Sequence, residues 1–279
     1  NSKRMEFYAP AQFVRDCKNH GVIVLPVDVT TSDWDCTLEG DQLCPPQLRL
    51  GMRLVKDLSE NGAKKLLAAR AQRKFQDLHD LAARSKLHQD DLDALAAANA
   101  LSSLAGNRHQ TAWTMAGTDV DLPLFVEHPT HEATPLLRPP TEGENIVADY
   151  HSVGLTLHRH PLALLREMMQ RHGITTAAQL RSMVDGEHVR TAGLVTIRQR
   201  PGSANNTAFV TLEDETDHVQ VIVWMSVAEQ FRLPFLRAQL LEVYGRLQHA
   251  HNVTHLVAES LVDRTEWLGR LRVNSRDFR

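Results

Sequence analysis

The sequence predicts an α+β chain in which a mainly helical amino-terminal half precedes a small five-stranded β-barrel. Three observations predict it. Five short β-rich runs follow one another toward the carboxyl end: His188 to Ile197, Thr207 to Leu212, His218 to Trp224, Gln239 to Leu247 and Val253 to Glu259. One helical stretch, Ser226 to Arg237, interrupts them after the third run. Upstream, apolar residues recur at helical spacing between Leu48 and Met115. Strand, strand, strand, helix, strand, strand at this size is the order of an OB-fold, whose central strands and loops bind oligonucleotides or oligosaccharides.

Taken in order, Pro10 to Asn19 predicts a short helix that ends at His20-Gly21, before the apolar run Val22 to Val27 and the polar turn Asp28 to Asp33. Residues 1–47 thus read as the end of a mixed domain. The chain starts at Asn1 without an initiator Met, and reads as a piece of something longer.

From Leu48 the pattern becomes helical. Leu50, Leu54, Val55 and Leu58 precede Ser59-Glu60-Asn61, then a helix carries Ala63, Leu66 and Leu67 with Lys64, Lys65, Arg70 and Arg73 around it. Two helices joined by a tight turn with lysines at the second start predict a helix-hairpin-helix. Such a turn grips a DNA phosphate with backbone N–H groups and the positive end of the helix dipole. Asp57 with Glu60 fits a capping box, and Ser59 competes as N-cap. A second copy follows, with Asp90 to Ala98, a turn at Asn99-Ala100, and Leu101 to Met115 carrying Arg108 and His109. Residues 48–116 therefore read as a tandem helix-hairpin-helix; the alternative is a plain helical subdomain with a solvated basic face.

Residues 117–148 contain five prolines, many acids and no periodicity, and read as a linker. Within it, Leu122, Leu124 and Phe125 form an apolar cluster in a polar setting, resembling the peptides that bacterial replication proteins place on the sliding clamp, with Asp121 where Gln is usual. A local contact of the linker is the alternative. Residues 149–185 read as a helical lead-in, 186–262 as the OB-fold and 263–279 as a tail.

The net charge of −3 hides an uneven distribution. Ten Lys or Arg stand against four Asp or Glu between Arg49 and Lys86, while seven acids stand against Arg138 alone between Asp119 and Asp149. The basic block is the expected electrostatic footprint. Three cysteines without CxxC spacing, no signal peptide and no apolar run of membrane-span length predict a soluble, cytoplasmic protein, and the lack of an oligomer-forming heptad predicts a monomer.

The loop after the first β run begins at Arg198 and carries Arg200, Asn205 and Asn206; guanidiniums and amides there suit sequence-tolerant contact with a single strand. Phe209, Trp224 and Tyr244 are the aromatics of the strands, and alternation can place each in the core. His249, His251 and His255 cluster without a Cys, Asp or Glu at ligand spacing, so no metal site is expected. Glu213 to Asp217 reads as a turn rather than a two-metal centre, and no P-loop, GxGxxG, GxSxG or HExxH occurs. No catalytic residue is predicted.

Several stretches together resemble one family. Phe7-Tyr8-Ala9-Pro10, His20-Gly21-Val22, Pro26 to Val29 and Ser32 to Asp35 resemble the end of the fingers domain of bacterial C-family DNA polymerases, of the error-prone ImuC type. Leu50 to Lys56 resembles that family's helix-hairpin-helix entry; Asp149-Tyr150, Gly154 to Leu157 and His160 to Leu162 its joint before the OB domain; Arg198 to Gly202, Phe209 to Glu215 and Ser275 to Arg279 its barrel and tail. Asp57 and Ser59 depart from the glycines usual at that turn.

The resemblance implies a fingers remnant, tandem helix-hairpin-helix and OB-fold from a translesion polymerase that acts in damage-induced mutagenesis. It implies a parent nucleotidyltransferase using palm aspartates and Mg²⁺, with this chain lacking the palm, inactive alone and needing no cofactor. Lys56, Ser59, Asn61, Lys64, Lys65 and Arg108 are then expected on duplex backbone, and Arg198, Arg200, Asn205 and Asn206 on single-stranded template. Expected partners are primer-template DNA, an ImuB-type Y-family-like protein, ImuA and the sliding clamp. The alternative is a module that docks other mutasome subunits and touches DNA little.

Overall fold

The computed structural model describes residues 10–40, 46–116, 137–200, 206–250, 253–269 and 271. The chain divides into two compact units, Asn1–His158 and Arg159–Arg279. The helical lead-in expected at 149–185 is therefore shared between them.

In the first unit, α1 (Pro10–Asn19) leads into a small sheet of β1 (Ile23–Leu25), β2 (Thr37–Glu39) and β3 (Gln47–Arg49) in the order β1-β3-β2. β1 is parallel and β2 antiparallel to β3. Helices α2 (Glu60–Gln72), α3 (Leu78–Ser85), α4 (Gln89–Ala97), α5 (Ser102–Ala105), α6 (Arg108–Ala116) and α7 (Glu142–Ser152) follow. Their apolar stripes meet in one core, where Met52, Leu66, Leu81, Leu92, Leu95 and Leu101 are all fully buried. At roughly 1.5–3 kcal/mol for each such side chain, this burial is what holds short helices that would not persist alone.

Three expectations change here. The first helix of the first hairpin is only a 3-10 turn, Met52–Leu54. The run expected as one helix from Leu101 to Met115 breaks at Gly106, whose φ of +82° ends α5. The last part of the expected linker, Glu142 to Ala148, is helical: Thr141 accepts from the Glu144 N–H at 3.2 Å and the Glu144 carboxylate accepts from the Thr141 N–H at 2.7 Å, a capping box that starts α7.

In the second unit, α8 (Pro161–Arg171) and α9 (Ala177–Leu180) precede a closed barrel of β4 (His188–Gln199), β5 (Thr207–Glu213), β6 (His218–Trp224), β7 (Leu240–Ala250) and β8 (Val253–Asp263), ordered β4-β5-β6-β8-β7. Long, bent β4 closes it by pairing with both β5 and β7, with a register shift between Val195 and Ile197. Alternation sends Val210 and Leu212, Val219, Val221 and Val223, Leu241 and Val243, and Leu256 and Ala258 inward, all almost fully buried. At Gly245, beside the shift between Tyr244 and Gly245, a Cβ would overlap the Val257 carbonyl, so only hydrogen fits. The helix expected at Ser226 to Arg237 is two, α10 (Met225–Gln230) and α11 (Arg232–Arg237), broken at Phe231. Pro234 supplies the reason: it has no N–H to offer the Gln230 carbonyl four residues back. A last short helix, α12 (Glu266–Gly269), buries Trp267 where a tail was expected.

Candidate nucleic-acid interface

The amino end of α2 is where a phosphate grip was expected. Ser59 wins the capping competition, its Oγ accepting from the Gly62 N–H at 2.9 Å, while Asp57 adopts the left-handed φ of +64° that a glycine would take. A second anion is already present. Asp91, 4% exposed on α4, accepts from the Ser59 N–H at 2.8 Å and from its hydroxyl at 3.1 Å. A Cβ on Gly62 would run into this carboxylate, so the glycine makes the room that Asp91 fills. The reading of Ser59 as a phosphate ligand is corrected accordingly: the positive end of the helix is satisfied by a side chain of the protein itself. Asn61 lies exposed on the first turn.

The basic block is largely spent within the fold. Arg49, Arg53, Arg70, Arg73 and Arg84 pair with Glu39, Asp35, Asp33, Asp80 and again Asp80. Lys56 Nζ donates to the Tyr150 carbonyl at 3.2 Å, and Lys65 Nζ to that of Lys86 at 3.4 Å. Lys64 pairs with Glu60 at 2.8 Å, but both are well exposed, so the pair holds little energy and leaves the ammonium available. Arg108 is a correction: it donates to Asn145 Oδ1 at 2.8 Å and Asp149 Oδ1 at 2.7 Å, with both charged side chains mostly buried, and it anchors α7 rather than facing a ligand. Lys74 and Lys86 remain exposed.

The barrel offers a different kind of surface. On β5 and β6 the outward row holds Phe209 paired with Ile222, both half-buried, and Trp224, 48% exposed, paired with Thr207. Tyr244, 38% exposed, stacks at 5.9 Å on His188 with Arg190 on the ring's other contact at 6.0 Å. Alternation did not place Phe209, Trp224 and Tyr244 in the core; the β-branched and leucine rows took the inward positions. That signal was readable in the phase of Val219, Val221 and Val223.

At the mouth of the β4–β5 loop, Asn206 takes φ +68° and its carbonyl accepts from the Met225 N–H at 2.9 Å, which holds the loop end beside Trp224. Arg200 is exposed there. Arg198 is not a loop residue but part of β4: its Nε donates to the Phe235 carbonyl at 2.8 Å and its Nη2 to that of Ala238. Burial lowers its pKa from the ordinary arginine value, and its place as a template ligand is corrected to that of a strap over the end of α11. Asn205, Leu122, Leu124 and Phe125 lie outside the described residues.

The acidic run has a structural task. Asp214, 2% exposed, accepts from the N–H groups of Ala177, Thr216 and Asp217 at 2.8, 2.7 and 2.9 Å, and meets Arg166 at 3.3 Å. It therefore fixes α9 and α8 to the β5–β6 turn. His249 is held at both ring nitrogens, by Met183 and Thr254. Among the described residues, no three metal-ligating side chains stand together.

Comparison with known proteins agrees with this division. A helix-hairpin-helix motif family matches residues 21–111, and an OB-fold nucleic acid binding domain family matches residues 189–263. Across its whole length the chain is 51% identical to an error-prone DNA polymerase of Alkalilimnicola ehrlichii and 46% identical to one of Methylococcus capsulatus, covering 27% and 28% of those proteins. A solved asparaginyl-tRNA synthetase of Pyrococcus horikoshii covers 33% of the chain at 23% identity and a TM-score of 0.29, too low to carry an argument. The chain resembles, from end to end, the C-terminal part of error-prone DNA polymerases, and it spans about 27% of the length of these relatives.

Proposed function

We propose that this chain is the DNA-engaging region of an error-prone polymerase, with the outer face of β5 and β6 as its single-strand contact. The observation that carries the reading is the outward row of Phe209, Ile222 and Trp224 beside Arg200 and Asn206, on a barrel that matches the OB-fold nucleic acid binding family. Aromatic faces stack on any base, which suits an enzyme that accepts any template, and each such stack contributes roughly 1–3 kcal/mol. In the helical unit, Lys64, Lys74 and Lys86 are the cations best placed to meet duplex backbone. Parent nucleotidyl transfer and its Mg²⁺-holding carboxylates are assigned outside this chain, so the chain alone binds DNA without extending a primer.

The test is an anisotropy titration of single strand, duplex and primer-template junction across a salt series, with Trp224→Ala and Arg200→Ala. Preference for single strand or junction that weakens in Trp224→Ala supports the reading; binding that ignores both variants sinks it.

A second reading is favoured by α11, where Leu233 and Leu236 are 64% and 54% exposed. Exposed apolar side chains on a barrel-capping helix suit docking of another mutasome subunit, of the ImuB or ImuA kind, with the Leu122–Phe125 peptide serving the sliding clamp. Leu233→Asp that abolishes subunit capture but spares DNA binding supports it. Among the described residues no helix is long and apolar enough to cross a membrane.

A further inference from the structure

We propose that a cleft at the hairpin end of the barrel seats one unpaired nucleobase of the bound strand. The inference rests on the strand-binding reading above and adds a pocket to its open face. The cleft, of about 480 Å³, is enclosed by α9, the start of β6 and the stem of the β7–β8 hairpin. That volume lies within the range of small-ligand sites, roughly 300–1,000 Å³.

Its walls suit a flat, apolar-faced ring. Leu180 and Val219 form the buried floor, and Val253 lines the cleft while 46% exposed. His249 adds ring surface rather than a hydrogen bond. The Met183 carbonyl at 3.1 Å can only accept, so Nε2 carries the proton; in the neutral ring Nδ1 then accepts from the Thr254 hydroxyl at 3.1 Å. With both nitrogens engaged, the imidazole offers the cleft its carbon edge and face.

The rim supplies polarity. Gln220 gives one amide N–H to Thr211 Oγ1 at 3.2 Å, which leaves a second N–H and the carbonyl oxygen for a base edge. An adjoining donor and acceptor match adenine, as in the pairing of Gln with adenine N6 and N7. Arg181, 61% exposed, pairs with Asp217 beside the cleft; so exposed a pair costs little to open, and the guanidinium can turn to the phosphate of the seated nucleotide.

Continuity with the open face comes from the strand itself. Gln220, Ile222 and Trp224 alternate along the outward row of β6, so Gln220 stands about 13 Å from Trp224, at ~3.3 Å per residue. A strand stacked on Trp224 and running along β6 therefore meets the cleft within a few nucleotides.

The experiment uses the full 279-residue chain and oligonucleotides carrying a single 2-aminopurine, scanned through each position. One position should change fluorescence on binding, and Val253→Trp, which fills the cleft from an exposed site, should remove that change and weaken the strand about five- to tenfold, the loss of one base contact. Gln220→Ala, on the surface and safe for folding, should reduce the preference for adenine at that position. If no oligonucleotide binds the unaltered chain, the strand-binding reading itself fails. If strands bind but neither variant alters fluorescence or affinity, the pocket is refuted while the open face stands. Occupation by free deoxyadenosine monophosphate that a strand does not displace would overturn the assignment to a strand.

Discussion

The helical unit and the barrel use their polar chemistry in opposite ways. The basic block of the first, Arg49 to Lys86, is mostly paired with carboxylates or carbonyls of the same unit; the second has no such block, yet it turns aromatic rings outward beside an exposed arginine. A count of charges along the chain therefore marks where polar groups are needed for folding as much as where a polyanion binds. Exposure after pairing is the quantity that separates the two.

The sharpest way to break this comparison is Asp91→Ala. It removes a buried carboxylate from the start of α2 and leaves backbone and hydroxyl donors without their partner, so the helical unit should lose ~3 kcal/mol in urea titration. Single-strand affinity, assigned to the barrel, should hold; a parallel loss of both would show that the barrel does not bind alone.

Next in size is Trp224→Ala, which should cost about tenfold in single-strand affinity with little change in melting temperature. An unchanged dissociation constant would move the interface off β5 and β6.

Arg198 and Arg200 give a smaller and more discriminating contrast. Arg198→Ala should lower stability by ~1–2 kcal/mol, because two carbonyls at the end of α11 lose a charged donor, and should leave the salt dependence of binding as it was. Arg200→Ala should do the reverse, flattening the salt slope for single strands by ~0.7 of a unit. Interchanged results would restore Arg198 to the template.

The smallest effect concerns Glu144. Hydrogen bonding from the Thr141 backbone N–H, with Arg138 nearby, holds its pKa below the usual 4.5. A depressed folded-state value means that its stabilisation of α7 is fully present above pH 4.5 and is lost as pH falls through the lower folded value. Glu144→Gln should therefore flatten the acid limb of the unfolding curve without altering stability's slope near neutrality; an unaltered acid limb would remove Glu144 from that account.

The barrel was the more legible region. Its five strands stand where β-rich runs predicted them, because turn residues and alternation act locally, and only their ends grew, so that Arg198 became a strand residue. Helix breaks were less legible. Pro234 alone should have divided Ser226 to Arg237, and Thr141-Glu142-Gly143-Glu144 carried a capping box that the surrounding prolines and acids obscured. Partners across long distances were not legible at all. Nothing in the order of residues says that Asp91 answers Ser59 or that Arg108 answers Asp149, since those contacts exist only once four helices have packed.

Gly62 and Asp91 also carry a consequence for how such a chain can change over generations. A side chain at the first position evicts the carboxylate at the second, and loss of the carboxylate leaves a void that a methyl group at the first would fill. The two positions, on different helices, form one heritable unit: each substitution alone is a loss, and the pair together is the passage by which that helix start would exchange its built-in anion for an apolar contact.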